Sequence, residues 1–289
     1  MKLFVTGGTG DIGGGIIPAL IAEGHHVSAL SRTPDGDRKL AALGACPVRG
    51  DLRHPAAWVG KAATAEGFIH AAGTFDDDMG AVDAAAMTAL GAAVRQTGHR
   101  PRLIYTGGGW LYGATGDHIA TEADPFDPPD DFAWAVEQGA ALLREDWAHV
   151  AVIHPALVYF RGGGCLEPLV APARAGAPVE VWGNPAVRWP LIHRDDLGRA
   201  YAALITRRDL IGHFNVVADT KTIAEVTMMI AARIPGCPGT APLPLDQVVA
   251  RHGDWAVHFN MDQQMSAARI QGATGWTPQF HDLSVSDIF

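Results

Sequence analysis

The chain has 289 residues, 48% hydrophobic and 18% charged, enough for one large or two small domains with a sizeable core. Its 22 Lys and Arg against 31 Asp and Glu leave a net charge of −9, and no basic run offsets it, which argues against a protein that holds nucleic acid by its phosphates. Cys46, Cys165 and Cys237 are too few and too scattered for a disulfide framework or a zinc site, and the 13 histidines show no HExxH-like spacing, so no metal is expected. Met1 leads straight into an apolar strand, and no run reaches about 18 apolar residues. The expectation is a cytoplasmic protein without a signal peptide or a membrane span.

In chain order, Leu3 to Thr6 reads as a buried strand, followed at once by Gly8-Thr9-Gly10-Asp11-Ile12-Gly13 and by a helix from Ile12 to Ala22. Strand, glycine turn and helix are the setting in which GxGxxG means dinucleotide binding. One glycine makes the turn, one lets the backbone approach a pyrophosphate, and one lets helix and strand pack closely. Free N–H groups and the helix dipole favour the phosphate charge. Further strands are expected at Val27 to Ser31, Pro47 to Arg49, Gly67 to Ala71, Arg102 to Thr106 and Val150 to His154. Helices are expected at Arg38 to Leu43, Asp83 to Gln96 and Phe132 to Trp147, the last capped by Asp130 or Asp131.

Such alternation predicts an α/β fold, a doubly wound parallel Rossmann sheet covered on both faces, with ligands beyond the carboxyl ends of its strands. After Pro155 the pattern breaks. Arg161 to Gly164 reads as a flexible loop, Val179 to Trp182 as a strand, Asp195 to Thr206 as a helix and Pro235 to Pro244 as irregular chain. We expect a dinucleotide-binding domain over 1–158, to which 193–217 returns through a strand at His213 to Val217. A smaller, discontinuous C-terminal substrate lobe is expected over 159–192 and 218–289.

These motifs resemble those of the extended and atypical short-chain dehydrogenase/reductases, the group that includes the NAD-dependent epimerase/dehydratase proteins. Thr6 to Gly13 resembles their TGGTGxxG loop, Gly50-Asp51-Leu52 the segment whose acid meets the adenine, and His70-Ala71-Ala72-Gly73 the segment beside the cofactor. Leu111-Tyr112-Gly113 resembles VYG, His154 to Tyr159 the RPxxVYG segment near the nicotinamide, Leu191 to Leu197 the VHVDDL element, and Gly275-Trp276-Thr277-Pro278 the GWxP. The resemblance implies cofactor contacts at Gly7, Thr9, Gly10, Asp11, Ile12, Gly13, Asp51, Leu52, Ala71, Ala72, Gly73, Thr106 and Pro155. At the end of the second strand, Ser31 stands where an NAD-selective acid would be, and Arg32 brings charge suited to a 2′-phosphate. NADP(H) is therefore expected in preference to NAD(H).

The catalytic positions depart from the family. Its Ser or Thr before VYG falls on Gly108, with Thr106 as a stand-in, and its YxxxK is best matched by Trp134 to Gln138, which has neither Tyr nor Lys. Trp134 offers a donor that does not titrate usefully, and neutral Gln138 cannot lower a neighbour's pKa by charge. Trp134, Glu137 and Gln138 share one helix face, and Glu137 alone is ionisable. Tyr105, Tyr112, His154 and Tyr159 are further candidate proton donors near strand ends, each more readily read as packing. The reading is an NADP(H)-dependent oxidoreductase for a small hydrophobic or aromatic carbonyl, imine or enone, with a non-standard proton path. A non-catalytic NADP-binding sensor, or an epimerase, isomerase or lyase on the same fold, stands as the alternative. The expected partners are that small-molecule substrate and, at most, a second copy of the chain.

Overall fold

The apolar runs of the first half form strands β1 (Lys2–Thr6), β2 (His26–Ser31), β3 (Cys46–Arg49), β4 (Gly67–His70), β5 (Arg102–Thr106) and β6 (His149–Pro155) in the computed structural model, which describes all 289 residues. Between them lie helices α1 (Gly13–Ala22), α2 (Pro34–Ala42), α3 (Val59–Ala62), α4 (Met79–Thr97) and α5 (Ala133–Arg144). The second half adds β7 (Leu157–Phe160), β8 (Gly163–Gly164), α6 (Glu167–Arg174), β9 (Val179–Trp182), β10 (Arg188–His193), α7 (Arg194–Ile205), β11 (Gly212–Val216), β12 (Asp219–Thr222), α8 (Ile223–Arg233), β13 (Thr240–Leu243), α9 (Leu245–His252) and α10 (Ala268–Thr274).

Seven strands form one sheet in the order β11-β6-β5-β4-β1-β2-β3, and every pairing is parallel. Strand order reverses between β1 and β4, which opens a crevice at their carboxyl ends. Successive side chains leave a strand on opposite faces, so Leu3 and Val5 join one core and Phe4 the other. The first core is closed by α1, α2 and α7, the second by α3, α4 and α5. Helices α1 and α7 pack backbone to backbone, since a Cβ on Gly198 would collide with the Gly15 carbonyl. A third cluster, including Tyr159, Trp182, Trp189, Val226 and Leu283, is the core of the smaller part, built around a four-stranded sheet (β12-β10-β7-β8) and the parallel pair β13-β9.

Several expected boundaries shift for local reasons. Helix α2 starts at Pro34 because Thr33 caps it, its hydroxyl accepting the Gly36 N–H at 3.1 Å, with proline at the first helical position. Helix α5 stops at Arg144, and neither Asp130 nor Asp131 caps it through its side chain. Trp147 lies past its end and packs over Gly91 of α4, where a Cβ would come within 2.7 Å of the indole nitrogen. The expected loop at Arg161 to Gly164 contains β8, paired antiparallel with Tyr159 and Phe160. The Pro/Gly-rich stretch from 235 contains β13, and Pro242 is tolerated because a two-stranded sheet consists of edges. All three cysteines are free, and no helix is long and apolar enough to cross a membrane.

Candidate active site

The glycine loop divides its labour between packing and an open face. A Cβ on Gly7, which sits at φ +76°, would collide with the Ala71 carbonyl, and one on Gly13 would collide with the Gly7 carbonyl. A Cβ on Gly8 would press the Ile17 side chain at 2.7 Å, so this glycine sets the α1–β1 spacing. Gly10 differs: its nearest neighbour would be the Gly7 carbonyl at 3.4 Å, and the residue is exposed. The N–H groups of Asp11, Ile12 and Gly13 find no backbone acceptor, and Ile12 at the helix cap offers no side-chain one. Orphan donors at a helix start beside an open glycine are what a phosphate needs.

Along the same edge, Ser31 is buried and its hydroxyl donates to the Thr33 carbonyl at 3.0 Å. Arg32 is exposed and has no acidic partner, whereas nearby Arg38 and Arg49 are paired with Asp35 and Asp37. Asp51, at the end of β3, accepts the Arg53 N–H at 2.9 Å, while Leu52 turns into the core and has only its backbone to offer. Thr9 and Asp11 are exposed beside the loop. These residues together fit a dinucleotide.

The crevice leads into a cavity of about 310 Å³ at the carboxyl ends of β4, β5 and β6. Ile12, Ala71, Ala72 and Gly73 form one side, Thr106 to Leu111 the floor, and Pro155 to Val158 the other side. Phe132, Trp134, Ala135, Met79 and Pro190 close it. None of the lining residues carries an ionisable side chain; Thr106 and Gln263 are polar, and Trp110 and Trp134 add indole N–H groups. Thr106 pairs with the buried Tyr201 hydroxyl of α7 at 2.7 Å. Gly108 stands at the family's serine position, where a Cβ would meet nothing within 4 Å. Phe75 lies at the mouth in a left-handed conformation, φ 56° and 84% exposed, on a loop where Arg53 grips Asp76 and Asp78.

The candidate proton donors do not converge on this cavity. Trp134 lines it, but its indole N–H donates to the Asp131 carbonyl at 3.1 Å. Glu137 and Gln138 line an outer groove with Gly80, Arg144 and Trp134 itself, which borders both spaces. The part of α5 turned inward is Ala135, at the cavity, and Gly139, buried against Val152. Tyr105 is buried on the α4 face, because alternation along β5 sends it opposite to Ile104. Its hydroxyl donates to Asp83 at 3.0 Å, and burial with that charge pushes its pKa up. Asp83 also holds His70 at 2.7 Å, and His70 meets Thr6 at 2.8 Å, so this histidine is satisfied in the core. Tyr159 is sealed in the third core, and its pKa is raised by burial. Of the seven expected catalytic residues, only Thr106 and Trp134 border the cavity.

His154 lies under the cavity floor, where a Cβ on Gly107 would come within 2.6 Å of its Nδ1. Its Nε2 meets Nδ1 of His213 at 2.9 Å. Burial, then the His213 charge, lowers its pKa to about 3. The unfolded chain protonates this residue as pH falls through about 6.5, while the folded chain resists down to about 3. The contribution of a neutral His154 is thus present above the unfolded pKa and lost as pH falls. Between pH 7 and 5 it amounts to about 2 kcal/mol. From pH 7 to pH 5 the unfolding free energy read from urea melts should fall by this amount more in wild type than in His154→Gln; equal falls would contradict the assignment.

Nothing in the sequence marks Gln263, Tyr201 or Pro190 as site residues. Gln263 reaches the floor across more than a hundred residues, and only the folded chain brings it there.

Comparison with known proteins agrees with this geometry. Uncharacterized protein C2A9.02 of Schizosaccharomyces pombe is 25% identical over 297 residues, covering 100% of this chain and 98% of that protein. The crystal structure of human epimerase family protein SDR39U1 (isoform 2) with NADPH superposes with a TM-score of 0.80 at 24% identity, covering 99% and 97% of the two chains. That of Thermus thermophilus UDP-glucose 4-epimerase with NAD gives 0.77 at 22% identity, covering 96% and 94%. The family model for NAD dependent epimerase/dehydratase proteins matches residues 3–217, through all seven strands of the main sheet. The chain belongs to the NAD dependent epimerase/dehydratase family.

Proposed function

We propose that the protein is an NADP(H)-dependent oxidoreductase for a small, uncharged, hydrophobic or aromatic substrate with an enone, imine or carbonyl group. The observation that carries this reading is a phosphate-ready glycine loop that runs into an apolar cavity with no ionisable side chain. The human relative solved with NADPH supports the choice of nucleotide, as does unpaired Arg32. The backbone donors at Asp11 to Gly13 would hold the diphosphate, Arg32 the 2′-phosphate, and Ala71 to Gly73 with Pro155 the nicotinamide end. A nicotinamide bound there supplies or accepts a hydride.

The chain's own part is to pack the apolar body of the substrate and orient it against the nicotinamide end, with water left as the proton source. Thr106 can donate a hydrogen bond to a substrate oxygen, but its hydroxyl does not titrate near neutral pH. A substrate that needs no protein acid suits such a site. A conjugated C=C takes hydride to give a stabilised enolate that water then protonates, and a neutral imine has a nitrogen basic enough to take its proton from water as the hydride arrives. A nucleoside diphosphate sugar fits poorly, since no cation borders the cavity to meet its phosphates.

The test is NADPH oxidation with enones, imines and ketones by wild type and Trp134→Phe. The substitution keeps an aromatic wall and removes an N–H that Asp131 already occupies, so at least about a tenth of the activity should remain. Complete loss of turnover in a folded Trp134→Phe protein would make Trp134 the proton donor and overturn the wall assignment.

A further inference from the structure

The most informative side chain in the cavity is Gln263. It is 1% exposed, and its amide nitrogen donates to the carbonyls of Gly109 at 3.1 Å and Gly113 at 2.6 Å. Carbonyl oxygens only accept, so the nitrogen must face them and the orientation of the amide is fixed by chemistry. Both amide protons are then used, and the amide oxygen accepts from nothing in the protein. Gln263 lines the cavity, and its amide oxygen is the one polar atom of the side chain left without a partner. An acceptor held in an apolar cavity without a donor is unfavourable until one arrives.

We propose that Gln263 is the specificity-determining acceptor for substrate. It selects uncharged aromatic molecules that carry an N–H or O–H donor, such as phenols, indoles and lactams. This rests on the reading of the cavity as a site for apolar substrates. Trp110, Phe132 and Trp134 supply aromatic walls, and Trp110 and Phe132 pack at 5.7 Å between ring centres. The Thr106 hydroxyl offers the complementary donor on the floor, backed by Tyr201. A ligand with a donor at one end and a carbonyl or imine at the other satisfies both groups. The turn from Gly109 to Gly113 is anchored by the same amide, so the acceptor cannot swing away without freeing two carbonyls.

The experiment is equilibrium dialysis of 2-naphthol and 2-methoxynaphthalene against the NADP+-saturated protein. The ether carries a methyl in place of the hydroxyl hydrogen, so it donates nothing and is the more hydrophobic; 2-methylnaphthalene, the size of naphthol but without a donor, is run beside it as the control for bulk, and a purely apolar cavity would favour both over naphthol. Gln263 predicts naphthol bound about tenfold more tightly. In Gln263→Met the preference should fall to within about twofold or reverse. Equal binding, or a preference for the ether, in wild type overturns the role of Gln263 and leaves the apolar reading intact. Binding of neither compound overturns both. The wild-type comparison decides the matter even if the variant fails to fold.

Discussion

Gly10→Val is expected to give a folded protein that has lost NADPH affinity by more than a hundredfold, or about 2.7 kcal/mol. Gly10 has no left-handed φ, and a Cβ there meets only the Gly7 carbonyl at 3.4 Å, so the chain itself tolerates a side chain. The isopropyl group would instead occupy the open face of the loop, beside which the free N–H groups of Asp11 to Gly13 would hold the diphosphate. Gly7→Val makes the contrast, because its left-handed backbone and the Ala71 carbonyl leave no room, and that variant should fail to fold. Calorimetric titration with NADPH, with a thermal melt as the control for folding, checks both. Native affinity in a folded Gly10→Val protein would mean that the loop does not hold the phosphates.

The second large effect is expected at Arg32. Alanine there should weaken NADPH binding by about tenfold to a hundredfold, the worth of one or two hydrogen bonds between a guanidinium and a phosphate. NADH, which lacks the 2′-phosphate, should be unaffected. Arg38 and Arg49 cannot substitute, since Asp35 and Asp37 already engage them. Parallel titration of the two nucleotides against both proteins gives the answer. Equal affinities for NADPH and NADH in wild type, unchanged by the substitution, would remove Arg32 as the selective residue.

The frame of the sheet was legible because its signals are local. A buried strand, a glycine turn and a helix start lie within about fifteen residues at the amino terminus, and the same short-range logic repeats through β6. Cofactor positions inherit that legibility, since they sit at the ends of those strands. The helix carrying Trp134 was legible as a helix, but which of its faces meets the cavity was not. Spacing groups Trp134 with Glu137 and Gln138, and all three line one outer groove; packing turns Ala135 and Gly139 inward, so of the three only Trp134 also borders the cavity. For the same reason Trp134→Tyr with Gln138→Lys would not place a lysine in the cavity.

Tyr105, His154 and Tyr159 stand at or beside strand ends, as expected, but each points to a core. The face a strand residue takes is set by what packs on the sheet, which only the assembled helices define. Gln263 lay beyond sequence reasoning altogether, because it is one of several glutamines near the carboxyl terminus and no motif around it sets it apart.

The central claim is that a hydride moves between nicotinamide and an uncharged, conjugated substrate without help from an ionisable side chain. The most direct measurement is transfer of deuterium from NADPH labelled at C4 of the nicotinamide, tested on both faces, into enones, imines, ketones and nucleoside diphosphate sugars, followed by mass spectrometry. The account predicts label in the products of the enone or imine class and none in the sugars. Label confined to the sugars, or no transfer to any class by protein saturated with nucleotide, would contradict it; the latter result would leave a nucleotide-binding sensor.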